Sequence, residues 1–279
     1  MTDKIMLEDD EYINQEDGLV WCRKCHTPRQ IRKEMWGKIR TLRVPCDCQK
    51  EEWKAEKHRR KEEERLRRVD RLKEGALGWS GLKCMCFDQD DGHNPSLMER
   101  IKNYTRTLEN GQKTGVLFWG PPGTGKTFAA ACIINACLDK EVSAAMFSFR
   151  QIIMQAEGLS FEERNTFLDG LFQKKILCLD GFDLNYHTNQ SLDILLDLAG
   201  RIDRAEMPVL LTTNYTLQEL GHPKGKIEEY VFPIILSKLV PMKTDGPDMR
   251  KEKSKEQYKQ LQEQCRTSVN EEIRDESSD

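Results

Sequence analysis

The stretch VLFWGPPGTGKTFAAACIINACLDK, residues 116–140, decides how the rest of the chain is read. Val116 to Trp119 is a short apolar run of the buried-strand kind, glycines and prolines then break the pattern, and an Ala- and Ile-rich segment of helical composition follows. GPPGTGKT, residues 120–127, has the spacing G-x-x-x-x-G-K-[ST], and it lies where that spacing carries meaning, after a strand and opening a helix. Gly120, Gly123 and Gly125 let the backbone wrap a phosphate, and the helix behind them offers its positive N-terminus to the anion. Lys126 reaches for the β- and γ-phosphates, and Thr127 supplies a hydroxyl to Mg²⁺. With Pro121, Pro122, Thr124 and Phe128, these residues make the candidate set for ATP or ADP.

Outward from this loop the chain alternates strand-like and helical segments. AAMFSF (144–149), ILCLD (176–180) and PVLLTTN (208–214) read as strands, and SLDILLDLAGRIDRA (191–205) reads as a helix. That alternation predicts an α/β fold with a parallel sheet and helices on both faces. A phosphate loop of this kind needs an acid at the end of a neighbouring strand for the magnesium shell, and Asp180 fits, against the plainer reading of an Asp capping a turn. A second carboxylate, to polarise the attacking water, is expected directly after it. That place holds Gly181, and the nearest acid is Asp183. Asn214, at the tip of its strand, is placed to bond a γ-phosphate or orient water, or merely to end the strand.

The first quarter of the chain is different. The 279 residues are 38% apolar and 33% charged, with a formal charge of −3 that hides an asymmetry. Residues 1–20 sum to −6, whereas residues 21–74 carry 19 Lys/Arg against 10 Asp/Glu. A local basic excess meets nucleic acid or an acidic protein face without choosing between them. No apolar run approaches the roughly 20 residues of a membrane span, and the acidic start lacks the basic-then-apolar pattern of a secretory signal. A cytoplasmic chain with its ten cysteines reduced is expected.

Four of those cysteines form two close pairs, Cys22-x₂-Cys25 and Cys46-x-Cys48. Two such knuckles set four thiolates around Zn²⁺, a natural staple for a segment too short to bury a core. His26 is a competing ligand beside a shell that the four sulfurs already fill. Cys84 and Cys86 read as buried or partly buried thiols, Cys132, Cys137 and Cys178 as core, and Cys265 as part of a polar tail. The run QKEEWKAEKHRRKEEERLRRVDRLKEGA (49–76) favours helix, either as a solvated linker or as a basic surface. Five segments follow: an acidic flexible N-terminus (1–20), a Cys₄ zinc module (21–48), a charged helical linker (49–77), an ATPase domain (78–250) and a polar tail, helical or disordered (251–279).

Taken together, these motifs resemble the DnaC/DnaI-type replicative helicase loaders, a branch of the AAA+ ATPases related to DnaA and the IstB transposition ATPases. The resemblance rests on the cysteine pairs with VPCDCQKEEW (44–53), the basic helix, FDQDDGHNP (87–95), GPPGTGKT, the Asp180 strand, PVLLTTN, SKL (237–239) and GPDMR (246–250). It implies an AAA+ P-loop parallel-sheet domain in which Asp180 is the Walker B metal residue, Asn214 is sensor 1 and Arg250 is sensor 2. Lys238 stands where the family carries an arginine finger that reaches a neighbouring subunit; lysine keeps the charge but loses the planar fork. It further implies ATP/ADP, Mg²⁺ and Zn²⁺, a DnaB-like hexameric helicase and single-stranded DNA as partners, and a homo-oligomer in the nucleotide- or helicase-bound state. The setting is a bacterial cytoplasm, for a chain encoded by the bacterium or by a phage. Gly181 and Lys238 together predict tight nucleotide binding with slow, partner-stimulated hydrolysis. An IstB-like transposition ATPase, a nucleotide-binding adaptor without hydrolysis and a zinc-dependent DNA-binding protein are the rival readings.

Overall fold

The computed structural model describes residues 7–184, 188–252 and 254–259. They divide between Arg68 and Val69 into two compact units.

In the first unit, β1 (Glu11–Ile13) pairs antiparallel with β2 (Val20–Cys22), and β3 (Gln30–Met35) pairs with β4 (Lys38–Arg43). The β3–β4 turn is Trp36-Gly37, both with left-handed backbone (φ 51° and 72°), as a type I′ hairpin turn requires at both positions. The expected aperiodic, mobile segment 1–20 is structured over much of its length. Glu11 is fully buried, and Arg29 meets Glu8, Asp10 and Glu11 at 3.3, 2.5 and 3.2 Å. An acidic run reads as solvated in sequence because its cationic partner lies 18 to 21 residues downstream. Apart from two cysteines, Val20 is the sole buried apolar residue described before Arg68.

α1 (Asp47–Ala76) carries the chain from one unit into the other. Its exposed face is laced by pairs such as Glu56–Arg60 and Glu62–Arg65, both 2.8 Å, each worth a few tenths of a kcal/mol at most (~0.3–0.5). Helix propensity therefore does most to hold its middle.

The second unit begins as α1 ends, with Val69, Ala76 and Leu77 buried. The elements that follow are α2 (Pro95–Glu109), β5 (Gly115–Trp119), α3 (Lys126–Asp139), β6 (Ala144–Ser148), α4 (Phe149–Glu157), α5 (Phe161–Phe172), β7 (Ile176–Phe182), α6 (Asn189–Arg204), β8 (Val209–Thr213), α7 (Leu217–Gly221), α8 (Lys226–Lys238) and β9 (Leu239–Lys243). The strands form one parallel sheet in the order β6-β7-β8-β5-β9. β5, β7 and β8 are apolar on both faces, as a sheet covered on both sides demands, and one continuous core runs from Ala76 to Leu239.

The expected α/β parallel sheet is thus present, with one strand the sequence reading did not anticipate. β9 contains Pro241, which argues against a strand, yet β9 is an edge strand bonded only to β5, where a missing N–H is tolerated. Cys132, Cys137 and Cys178 are buried as expected, whereas Cys84 is exposed. Within the apolar α3, Asn135 is buried and its amide donates to the carbonyls of Leu82 and Met85 (2.7 and 2.9 Å), tying that segment to the helix behind the phosphate loop. Among the described residues no helix is long and apolar enough to cross a membrane. Residues 249–252 and 254–259 are helical; the remainder of the tail, with Cys265, lies outside the described residues.

Candidate nucleotide site and cysteine cluster

Parallel strands end on one rim, so β5, β7 and β8 deliver Gly120, Asp180 and Asn214 to the same edge of the sheet. There a cavity of about 840 Å³ is lined by Pro122 to Phe128, Asp180, Asp183 and Asn214. Its second wall, from the segment before and within α2, sets the apolar Trp79, Met85, Leu97 and Met98 beside polar residues from Gln89 to Asn94. Asp245, Gly246, Pro247 and Met249 complete it, and Arg250 reaches the same space.

The loop is held open from behind. Thr124 Oγ1 donates to the Pro121 carbonyl and meets Thr244 Oγ1, both at 2.8 Å, while the Thr244 N–H bonds the end of β5 at 2.8 Å. Gly123 has φ +79°, and a Cβ there would fall 1.9 Å from the Asp248 carboxylate, so only glycine fits. The Met249 N–H closes the contact on the Gly123 carbonyl at 3.1 Å. Gly120 and Pro121 do not line the cavity; their carbonyls accept the Lys126 ammonium, each at 2.7 Å. Burial, reinforced by the charge of Arg250, pulls that ammonium down to about 8, against the opposing pull of Asp180. A buried cation facing an open cavity is a place for anionic phosphate.

Thr127 Oγ1 donates to Asp180 Oδ1 at 2.9 Å, which joins the loop hydroxyl to the strand-end acid across two elements. The same oxygen accepts from Thr212 Oγ1 at 2.7 Å, and the Gly181 N–H donates to that Thr212 oxygen at 2.7 Å. Thr212 is a site residue that sequence reading passed over, since a Thr in PVLLTTN looks like strand filler until β7 and β8 pair. Gly181 explains the missing second acid. It has φ +76° where the β7–β8 register shifts between Leu179 and Phe182, a backbone that side chains rarely adopt. Asp183, two residues on, lies in the cavity wall beside Tyr215, whose hydroxyl accepts the Leu184 N–H at 3.4 Å.

Lys238 is apart from this cavity. It ends α8, half-exposed and 3.6 Å from Asp203, and the next residue, Leu239, pairs with Gly115 at the far end of β5. Five residues of strand separate that end from Gly120, about 17 Å at ~3.3 Å per residue, beyond a lysine's reach. Lys238 is therefore not part of this chain's own phosphate-loop cavity.

In the first unit, Cys22, Cys25, Cys46 and Cys48 bring their sulfurs within 4.8 Å of one another. The 20 residues between the two pairs are taken up largely by the β3–β4 hairpin, and the second pair sits at the start of α1. The Sγ atoms of Cys46 and Cys48 are 3.2 Å apart and those of Cys22 and Cys48 3.6 Å, near the ~3.8 Å edge of a tetrahedron with Zn–S of ~2.3 Å. The thiols share protons unequally: the hydrogen bond to Thr27 takes Cys25 down to about 5, and the contact with Cys46 pushes Cys48 up to about 12. Arg29 Nη2 points at Cys22 Sγ from 3.8 Å, a cation against sulfurs that carry negative charge when they bind metal. His26 is outside the cluster, edge-on to the Tyr12 ring. The residues present fit a tetrathiolate metal site.

Residues 116–223 match the family model described as "ATPase family associated with various cellular activities (AAA)". Residues 116–223 are thus an AAA-type ATPase domain. The replicative helicase loader DnaI of Bacillus subtilis (strain 168) is 24% identical over a 187-residue alignment that spans 59% of this chain and 58% of that relative. A crystal structure of DnaI is matched over 63% of this chain and 98% of that one, with a TM-score of 0.51 and 18% identity, a likeness of fold. The crystal structure of the DnaC helicase loader is matched over 56% of this chain and 92% of that one, with a TM-score of 0.46 and 17% identity.

Proposed function

We propose that this AAA+ protein is an ATP-dependent loader of a hexameric, DnaB-like replicative helicase, acting in the bacterial cytoplasm to help place that helicase on single-stranded DNA. The observation that carries the nucleotide part is the Thr127–Asp180 bond beside a buried Lys126, all facing one cavity. In this reading the loop and Lys126 bind the phosphates, and the apolar wall at Met85, Leu97 and Met98 receives the base. Thr127 and Asp180 would hold Mg²⁺, whose charge would offset that of the bound phosphates. Asn214 and Asp183 orient water for attack on the γ-phosphorus as the bond to the bridging oxygen breaks, Arg250 steadies the phosphates in the same chain, and Lys238 acts on the neighbour's in a homo-oligomer. The helicase-loading part is supported by the DnaI likeness, and gripping the helicase falls to the N-terminal unit with Zn²⁺ on its four cysteines. Slow hydrolysis is supported by Gly181, whose backbone disfavours the acid expected there.

Light-scattering chromatography of the protein mixed with its cognate helicase tests the proposal. A stoichiometric complex whose stability differs between ATP·Mg²⁺, ADP and no nucleotide is expected; no complex in any state would overturn it and favour an IstB-like role. A nucleotide-binding adaptor without hydrolysis is the second reading, favoured by the same Gly181. Absence of phosphate release in a single-turnover experiment with helicase and DNA present would select it.

A further inference from the structure

The β3–β4 hairpin does no work in the nucleotide site or the cysteine cluster, and it is built in an unusual way. Side chains alternate across a strand pair, so Ile31, Lys33 and Met35 share one face with their cross-strand partners Leu42, Arg40 and Lys38. The other face carries Arg32 and Arg43, and both are engaged: Arg32 with the Asp17 carbonyl, Arg43 with Glu8 and Glu11. The first face has no such partners. Lys33, Lys38 and Arg40 are exposed and have no carboxylate partner among the described residues, and the one acid of the hairpin, Glu34, belongs to the opposite face. Lys33 and Arg40 stand directly opposite each other, a like-charge pair that weakens a hairpin unless an anion joins it. At the tip, Trp36 is 83% exposed in a left-handed conformation, with the Arg40 guanidinium 5.6 Å over its ring.

We propose that this face of the hairpin binds single-stranded nucleic acid: Lys33, Lys38 and Arg40 take successive phosphates, and an unpaired base stacks on Trp36. The inference goes beyond the ATPase reading, since it assigns a nucleic-acid contact to the N-terminal unit and needs no nucleotide. The single strand is the favoured occupant because an exposed ring beside unpaired cations offers stacking and charge together, and only an unstacked base can use the ring. A protein partner would want a continuous apolar face, whereas on this face Lys33 and Arg40 stand between the Ile31–Leu42 pair and the Met35–Lys38 pair.

The test uses the full chain without nucleotide, and the Lys126→Ala chain alongside, so that failure of the ATPase reading leaves the result interpretable. Fluorescence anisotropy is measured with labelled oligo-dT, oligo-rU and a duplex of equal length over a salt series. Trp36→Ala is expected to weaken single-strand binding about tenfold with the salt slope unchanged. Lys33→Gln combined with Arg40→Gln is expected to weaken it and flatten the slope by about 1.4, at ~0.7 for each phosphate no longer neutralised. All three positions are exposed, and an unchanged thermal transition shows that the variants are folded. The dT and rU arms distinguish DNA from RNA as the source of the strand. Wild-type affinity in both variants, or equal affinity for duplex and single strand, would overturn the proposal. So would loss of helicase capture with oligonucleotide binding intact, which would reassign the face to a protein partner.

Discussion

At the scale of single residues, Lys126 and Gly181 set the chemistry expected of the candidate nucleotide site. Lys126 is held as a buried cation near the middle of its titration, because its surroundings lower it to about 8. Bound phosphate raises it again, so above pH 8 binding takes up a proton. Nucleotide affinity is therefore expected to be flat below about pH 7.5 and to fall by up to about tenfold per unit above 8, which isothermal titration at pH 7 to 9.5 checks. Lys126→Ala should remove nucleotide binding without lowering the melting temperature of the nucleotide-free protein, since the buried charge is costly until phosphate arrives. Gly181 is the second control point. Gly181→Glu supplies the absent carboxylate but at φ +76°, so it is expected to destabilise the ATPase unit by about 1–2 kcal/mol in urea unfolding and to leave hydrolysis slow. A rapid ATPase in that variant would show that charge alone had been missing.

At the scale of elements, the N-terminal unit is two small hairpins and the start of a helix around four sulfurs. Isolated two-stranded hairpins are marginal in water, and Val20 with two cysteines is the whole of the buried apolar set described there. A metal on the four cysteines would supply the stability that such a small apolar set lacks. We expect one Zn²⁺ per chain by elemental analysis, and loss of the unit's tertiary circular dichroism in Cys22→Ser/Cys25→Ser or after chelation. Nucleotide affinity should stay unchanged. Persistence of the signal without metal would mean that the Arg29 network with Glu8, Asp10 and Glu11 suffices alone. Sequence spacing pointed to the four cysteines because knuckles are local. It could not point to Arg29, whose partners come from a segment that looks like a solvated acidic tail.

At the scale of the whole molecule, the nucleotide cavity belongs to the second unit. The continuous apolar core spans Ala76 to Leu239, and every residue of the nucleotide cavity lies between Trp79 and Arg250. Residues 69–279 alone are expected to bind nucleotide within about twofold of the full chain, measured by titration calorimetry. A large loss would show that the N-terminal unit supports the site.

By itself the sequence determined the strand–loop–helix around GPPGTGKT, the acid at Asp180, the α/β class and the metal-fitting cysteines. Each is written in spacing over a few residues, where glycine conformation, apolar periodicity and ligand geometry act locally. Only the tertiary structure decided that Leu239–Lys243 is a strand despite Pro241, because what permits it is an edge position beside β5. The same holds for Thr212 on Asp180, for the left-handed backbone at Gly181 that disfavours a second acid, and for Lys238 at the far end of the sheet from the phosphate loop. These are pairings between segments far apart in the chain, and such pairings leave no periodic trace in it; they exist once the sheet has assembled.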